Sequence, residues 1–155
     1  NLTKLYGLRL SNNNISIIEN LDNKLNLENL ILGDNKIKKI PDLSFLCSLN
    51  SLLLFGNEIE EMENLEHMVY LSAIDLSRNK IKKIQSVSGL YLVMLNLNDN
   101  EIERLEEDGF SVLPQNVGHL YLNDNRLDLD DKVTKEIIEL LKNNIEEISY
   151  TPQKK

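Results

Sequence analysis

The sequence predicts an α/β solenoid, with a curved parallel sheet on the concave side, an irregular or 3-10 convex side, and a C-terminal capping helix and strand. Three observations predict it. Asn13, Asn35, Asn57, Asn79, Asn100 and Asn125 recur at steps of 22, 22, 22, 21 and 25 residues, and a fixed period of this length marks a tandem array of supersecondary units. Each asparagine sits in the same apolar frame, Leu-x-x-Leu-x-Leu-x-x-Asn-x-Ile-x-x-Ile-x-x-Leu. After Leu129 that frame gives way to helical spacing.

The units follow in order. The first carries Leu5, Leu8, Leu10, Asn13, Ile15, Ile18 and Leu21, and the second Leu27, Leu30, Leu32, Asn35, Ile37, Ile40 and Leu43. The third has Leu49, Leu52, Leu54, Asn57, Ile59, Met62 and Leu65, and the fourth Leu71, Ile74, Leu76, Asn79, Ile81, Ile84 and Val87. Leu92, Leu95, Leu97, Asn100, Ile102 and Leu105 make the fifth, and Val117, Leu120, Leu122, Asn125 and Leu127 the sixth. Within each, Leu-x-Leu alternates as a short strand whose leucines point inward, and stacking neighbouring units buries what one unit cannot bury alone. The asparagine amide both donates and accepts, so it suits backbone groups left unpaired where the chain leaves the strand.

This frame resembles the leucine-rich repeat family over about residues 2–129. The 22-residue spacing with isoleucine after the asparagine is most similar to the subclass of the leucine-rich regulatory subunit of type one protein phosphatase, the axonemal dynein leucine-rich light chain, the spliceosomal A-prime protein and the bacterial internalins. The region after the last repeat departs from the spliceosomal member, lacking its tyrosine-centred cap. The resemblance implies a binding module that recognises protein through its concave sheet.

The ends differ in kind. Leu2 falls near the close of an earlier unit, and an uncapped solenoid end exposes core, so the N-terminal end reads as a fragment boundary. Residues 1–129 form the repeats. Residues 130–150 are expected as a cap, with Asp130 or Asp131 as N-cap, an apolar face of Val133, Ile137, Ile138, Leu140 and Leu141, and a last strand from Ile145, Ile148 and Tyr150. Residues 151–155 are expected as a disordered tail. The fifth unit is followed by a longer excursion from Glu106 to Asn116, in which Phe110 and Leu113 would reach the core and the rest would bulge from the convex side.

Composition narrows the function. The 155 residues are 41% hydrophobic and 27% charged, with a net charge of −8. An acidic chain argues against general nucleic-acid binding, which needs a basic surface. No apolar run is long enough to insert in a membrane. One cysteine, Cys47, forms no internal disulfide, and without the cysteine-rich caps usual in extracellular members of the family a reducing, cytoplasmic location is expected. The sequons at Asn1 and Asn14 are what chance gives in an asparagine-rich chain. Lys36-Ile-Lys38-Lys39 is followed by Glu58-Ile-Glu60-Glu61, Lys80-Ile-Lys82-Lys83 and Glu101-Ile-Glu103-Arg104. Stacked roughly 5 Å apart, these rows face opposite charges, which reads as register control rather than as phosphate or targeting sites.

The residues flanking the inward leucines should line the concave face. No nucleophile, base and orienting acid recur together among them: Asp75 and Ser77 lack a nearby histidine, and His119 lies two units away. Two separated histidines and one cysteine suit no metal, and no glycine-rich phosphate loop is present. The sequence therefore predicts no enzyme, no cofactor and no small-molecule substrate. Apolar residues do occur where the frame demands none. Ile31, Leu53 and Phe55 adjoin in the second and third units, with Met94 and Tyr121 beyond them and Asp75 in a mostly acidic surround. This set is the predicted partner-binding surface, because exposed apolar and aromatic clusters mark interaction sites. The expected function is a scaffold or regulatory adaptor that binds another protein. Two alternatives stand beside it: the recognition or sensor part of a larger phosphatase, kinase or ubiquitin ligase, and a secreted internalin-like adhesion module.

Overall fold

The computed structural model describes residues 4–84, 87, 90–106, 117–151 and 153–154. Leu2, Phe110, Leu113 and the excursion from residue 107 to residue 116 lie outside them. Six three-residue strands, β1 (Gly7–Arg9), β2 (Asn29–Ile31), β3 (Ser51–Leu53), β4 (Ala73–Asp75), β5 (Met94–Asn96) and β6 (His119–Tyr121), are followed by helix α1 (Lys132–Asn144) and strand β7 (Glu147–Ser149). The strands form one parallel sheet in chain order. Register is strict, with Leu8, Leu30, Leu52, Ile74, Leu95, Leu120 and Ile148 in one row. From Leu30 to Leu120 that row is buried completely.

The asparagines form the ladder that their chemistry suits. Each Oδ1 accepts from the backbone N–H of the preceding repeat: Ile15 to Asn35 (3.0 Å), Ile37 to Asn57 (2.9 Å), Ile59 to Asn79 (3.0 Å), Ile81 to Asn100 (3.0 Å) and Ile102 to Asn125 (3.1 Å). Each Nδ2 donates to carbonyls of its own and the preceding repeat, as Asn100 does to Leu97 and Leu76. Asn13, in the first repeat, is exposed, and among the described residues its side-chain amide donates to Leu10 and Ser11 alone. The first repeat is more open than the next, with Leu10 39% exposed where its equivalent Leu32 is 3% exposed.

The ladder has one rung more than the asparagine count indicates. Gln153 accepts from the Leu127 N–H (3.0 Å) and donates to the carbonyls of Leu122 and Tyr150. These are the bonds an asparagine makes elsewhere. The tail expected to be disordered is thus engaged at Gln153 and Lys154, whose ammonium lies 2.5 Å from Asp99. The reason is legible in spacing: Ile145-x-x-Ile148-x-Tyr150-x-x-Gln153 is the opening frame with a glutamine in the asparagine position.

Helix α1 caps the array, and Asp131 rather than Asp130 is its N-cap, accepting from the Thr134 N–H at 2.8 Å. Its inward face is Thr134, Ile137, Ile138 and Leu141, an i, i+3, i+4, i+7 set. Val133 and Leu140, expected on that face, are exposed at 36% and 56%. Thr134 takes the inward place instead: its Oγ1 accepts from the Leu105 N–H (3.3 Å), which has no other partner among the described residues, and a small polar group so faces the last layer.

The charge ladder forms in one of its rows. Glu58 pairs with Lys80 (3.3 Å) and Glu101 with Arg126 (3.3 Å), and Lys83 meets Glu106. Lys38, Glu60, Lys82 and Glu103 are exposed and make no ion pair among the described residues. Solvated charges that far out gain too little to hold two long side chains together.

Candidate functional site

The concave face is built from positions that alternate with the inward leucines. One row reads Arg9, Ile31, Leu53, Asp75, Asn96, Tyr121, and the row beside it Gly7, Asn29, Ser51, Ala73, Met94, His119, Glu147. Of the predicted binding residues, Ile31, Leu53, Asp75 and Tyr121 therefore share a row, and Met94 stands in the next. Phe55 lies two residues beyond Leu53, where backbone bonds continue past the strand through Asp34 N to Phe55 O (2.8 Å) and Gly56 N to Ser77 O (2.8 Å).

Ile31, Leu53 and Phe55 come together, and Asp75 borders them through its register with Leu53. Met94 and Tyr121 do not join that group, since Asp75 and Asn96 stand between Leu53 and Tyr121. All six are half-buried rather than freely exposed. Phe55 shows why. Its ring lies across Gly33, where a Cβ would come within 2.2 Å of it, and the Arg78 guanidinium sits 5.5 Å from its centroid on top. Arg78 is in turn held by Asp34, Nη2 to Oδ1 at 2.9 Å, reaching over the intervening repeat. Gly56 makes that reach possible: a Cβ there would lie 2.3 Å from Asp34 Oδ1.

Sequence reasoning missed the backbone behind this clamp. The residue before each ladder asparagine has positive φ: Asn12 (59°), Asp34 (56°), Gly56 (64°), Arg78 (54°), Asp99 (56°) and Asp124 (55°). Asparagine, aspartate and glycine tolerate that region, and their recurrence before the ladder residue was the available signal. Arg78 is the exception, a long-side-chain residue whose backbone is held in that region, and backbone strain of this kind is a pointer to function.

Further along, the face is polar. Asp75 accepts from the Ser77 N–H (2.9 Å) and has no ion-pair partner among the described residues. His119 stacks on Tyr121 at 6.3 Å between centroids and lies between Glu146 (3.3 Å) and Glu147 (3.1 Å). Burial first, and then the Glu147 carboxylate that its hydroxyl reaches at 3.2 Å, pushes the Tyr121 phenol above its ordinary value. Tyr121 therefore presents a neutral hydroxyl at neutral pH. Among the described residues no three His, Cys, Asp or Glu side chains are grouped to hold a metal ion.

No protein-family model and no curated protein sequence matches the chain. Solved structures do. An internalin, InlF, of Listeria monocytogenes superposes with TM-score 0.73 at 26% identity, covering 97% of this chain and 44% of that one. The parallel sheet in strict register, the amide ladder and this superposition agree. The chain is a leucine-rich repeat solenoid. A leucine-rich repeat protein of Leptospira interrogans shares the solenoid fold with TM-score 0.77 at 24% identity, over 96% of this chain and 38% of its own. So does a chain of the octameric complex of Latrophilin 3, Unc5D and the leucine-rich repeats of FLRT2, with TM-score 0.79 at 21% identity, over 96% and 48%. The solenoid thus spans less than half the length of each of these three. Within the described residues no helix is long and apolar enough to cross a membrane.

Proposed function

We propose that this solenoid is a protein-interaction module, a scaffold or regulatory adaptor, that binds its partner through the concave sheet at Ile31, Leu53 and Phe55, with Asp75, Met94 and Tyr121 extending the contact. One observation carries the reading: three adjoining apolar side chains stand on the concave face, and the largest is held in place between Gly33 and Arg78 before any partner arrives. A fixed aromatic anchor loses little freedom on binding, so more of its buried area appears as affinity. The octameric complex containing FLRT2 repeats supports the same use of the fold. A cytoplasmic or other reducing location belongs to the proposal and is supported by Cys47, which is exposed and unpaired.

Residues 1–129 are proposed as the recognition array and 130–150 as its cap. The likeness to an internalin favours a second reading, an adhesion module at a cell surface. Affinity capture with the wild-type module and with the Leu53→Asp, Phe55→Ser double variant tests the main proposal. The variant is expected to lose a specific partner, with affinity falling at least about 30-fold for two central anchors. Capture of the same proteins at unchanged affinity by a folded variant refutes it. A partner retained only under oxidising, extracellular conditions favours adhesion.

A further inference from the structure

Four strongly exposed apolar side chains lie on the edge of the solenoid rather than on its concave face. Tyr70 is 66% exposed, Tyr91 68%, Val93 61% and Val69 54%. All four precede strands of adjoining repeats, Tyr70 three residues before β4 and Tyr91 three before β5, and the register of Ala73 with Met94 sets them side by side. The frame requires nothing apolar at these positions. Val93 is tied into the edge by backbone bonds to Ser72 O and from His119 N, both 2.8 Å, so the patch rests on a rigid support.

A groove runs from this patch to the end of the cap. Tyr91 and Val93 line it from the fifth repeat, Gly118 from the sixth, and Asn144, Ile145 and Glu146 from the end of the cap. Two features make the cap side of this lining electronegative. The C-terminus of α1 ends there at Asn144, and the last carbonyls of a helix carry about half a negative charge. Glu146 adds a carboxylate that is 77% exposed, with His119 Nε2 3.3 Å away on its inner side. Among the described residues no lysine or arginine lines the groove. Lys142, the one basic residue of the last helical turn, is turned aside, 2.6 Å from Glu139 and 5.7 Å from the Tyr150 ring centroid.

We propose that this groove docks an arginine-bearing segment of another protein. A guanidinium placed between the Tyr91 ring and the helix end meets a π-face on one side and carbonyl and carboxylate oxygens on the other. Its aliphatic stem would run along Val93, and the adjoining apolar side chain would cover Val69 and Tyr70. A second copy of this chain is the poorer occupant, because two molecules of net charge −8 repel and would bring further carboxylates to an acidic wall. The groove shares no lining residue with the apolar concave group of Ile31, Leu53 and Phe55, so either proposal stands if the other falls.

Fluorescence anisotropy with a fluorescein-labelled nona-arginine peptide at about 0.15 M salt tests it. Tyr91→Ser and Glu146→Gln alter exposed groups and should leave thermal unfolding in place, and each is expected to weaken binding at least about fivefold. The Leu53→Asp, Phe55→Ser variant is expected to bind like wild type. So is Glu60→Gln, Glu61→Gln, a charge control of two exposed residues away from the groove. Weakening by that control equal to the effect of Glu146→Gln overturns the proposal, as does full binding by Tyr91→Ser or no binding by wild type. Concentration-dependent dimerisation abolished by Tyr91→Ser would assign the groove to a second copy and also overturn it.

Discussion

Replacing Asn100 by alanine removes one rung of the ladder, and the structure says what that costs. Asn100 is fully buried. Its Oδ1 accepts from the Ile81 N–H at 3.0 Å, and its Nδ2 donates to Leu76 O (3.0 Å), Leu97 O (3.1 Å) and Asn98 O (3.2 Å). All three carbonyls are shared: Asn79 also reaches Leu76 O, Asn125 also reaches Leu97 O, and the Arg78 N–H also reaches Asn98 O. The substitution therefore leaves each of them one partner, and only the Ile81 N–H is left buried without any. That donor costs about 1–3 kcal/mol, and the bonding lost by the two amide N–H groups about 0.5–1.5 kcal/mol each. A total of about 3 kcal/mol lowers the melting temperature by about 6–12 °C in a chain of this size. Urea unfolding followed by circular dichroism measures it, with Asn13→Ala as the internal comparison. The Asn13 side chain is exposed and, among the described residues, bonds within its own repeat, so its loss should cost about 0.5 kcal/mol. Equal destabilisation by the two variants refutes the argument that cross-repeat satisfaction of buried backbone holds the array together.

Three further outcomes follow from the geometry. Gln153→Ala should destabilise the array by about 1 kcal/mol, measured by urea unfolding, because the Leu127 N–H loses its acceptor while water retains partial access; no change would return residues 151–155 to a disordered tail. Gly56→Ala should cost about 1–2 kcal/mol in the same assay, since φ is +64° and the new Cβ would press on Asp34 Oδ1, and Asp34→Ala in the same chain should recover part of that loss. Asp131 should contribute a pH-dependent stability. Hydrogen bonds from Thr134 hold its carboxyl below the ordinary value of 3.8 in the folded chain, so the contribution is complete above that value and disappears as pH falls through the lower folded one. Asp131→Asn keeps an oxygen for the cap without titrating. Melting temperatures of the two proteins should therefore diverge above pH 3.8 and converge below it, and a constant difference at all pH values contradicts the assignment.

The repeat frame was legible because it is local and recurrent. Each Leu-x-Leu sets inside from outside by the two-residue period of a strand, and each asparagine has a role that any neighbour at the same step can complete. Six copies make the reading redundant. Gln153 was legible in the same way, three residues after Tyr150, and was passed over because a glutamine stands in the asparagine position. The rotation of α1 was not, since 133, 137, 140 and 141 make as good an apolar face as 134, 137, 138 and 141 until Leu105 supplies an unpaired N–H for Thr134.

Solenoid class, strand register, inward face and the concave positions of Ile31, Leu53, Phe55, Asp75, Met94 and Tyr121 were determined by the sequence alone, because translational repetition converts residue number directly into position. Tertiary structure decided the rest. Phe55 is held in place only because Gly33, Gly56, Asp34 and Arg78 from three repeats meet around it. The edge groove exists because α1 ends beside the fifth repeat, bringing Glu146 into one lining with Tyr91 from more than fifty residues away. Such contacts depend on side-chain directions and on where a non-repeating element comes to rest, and a repeat period carries no information about either.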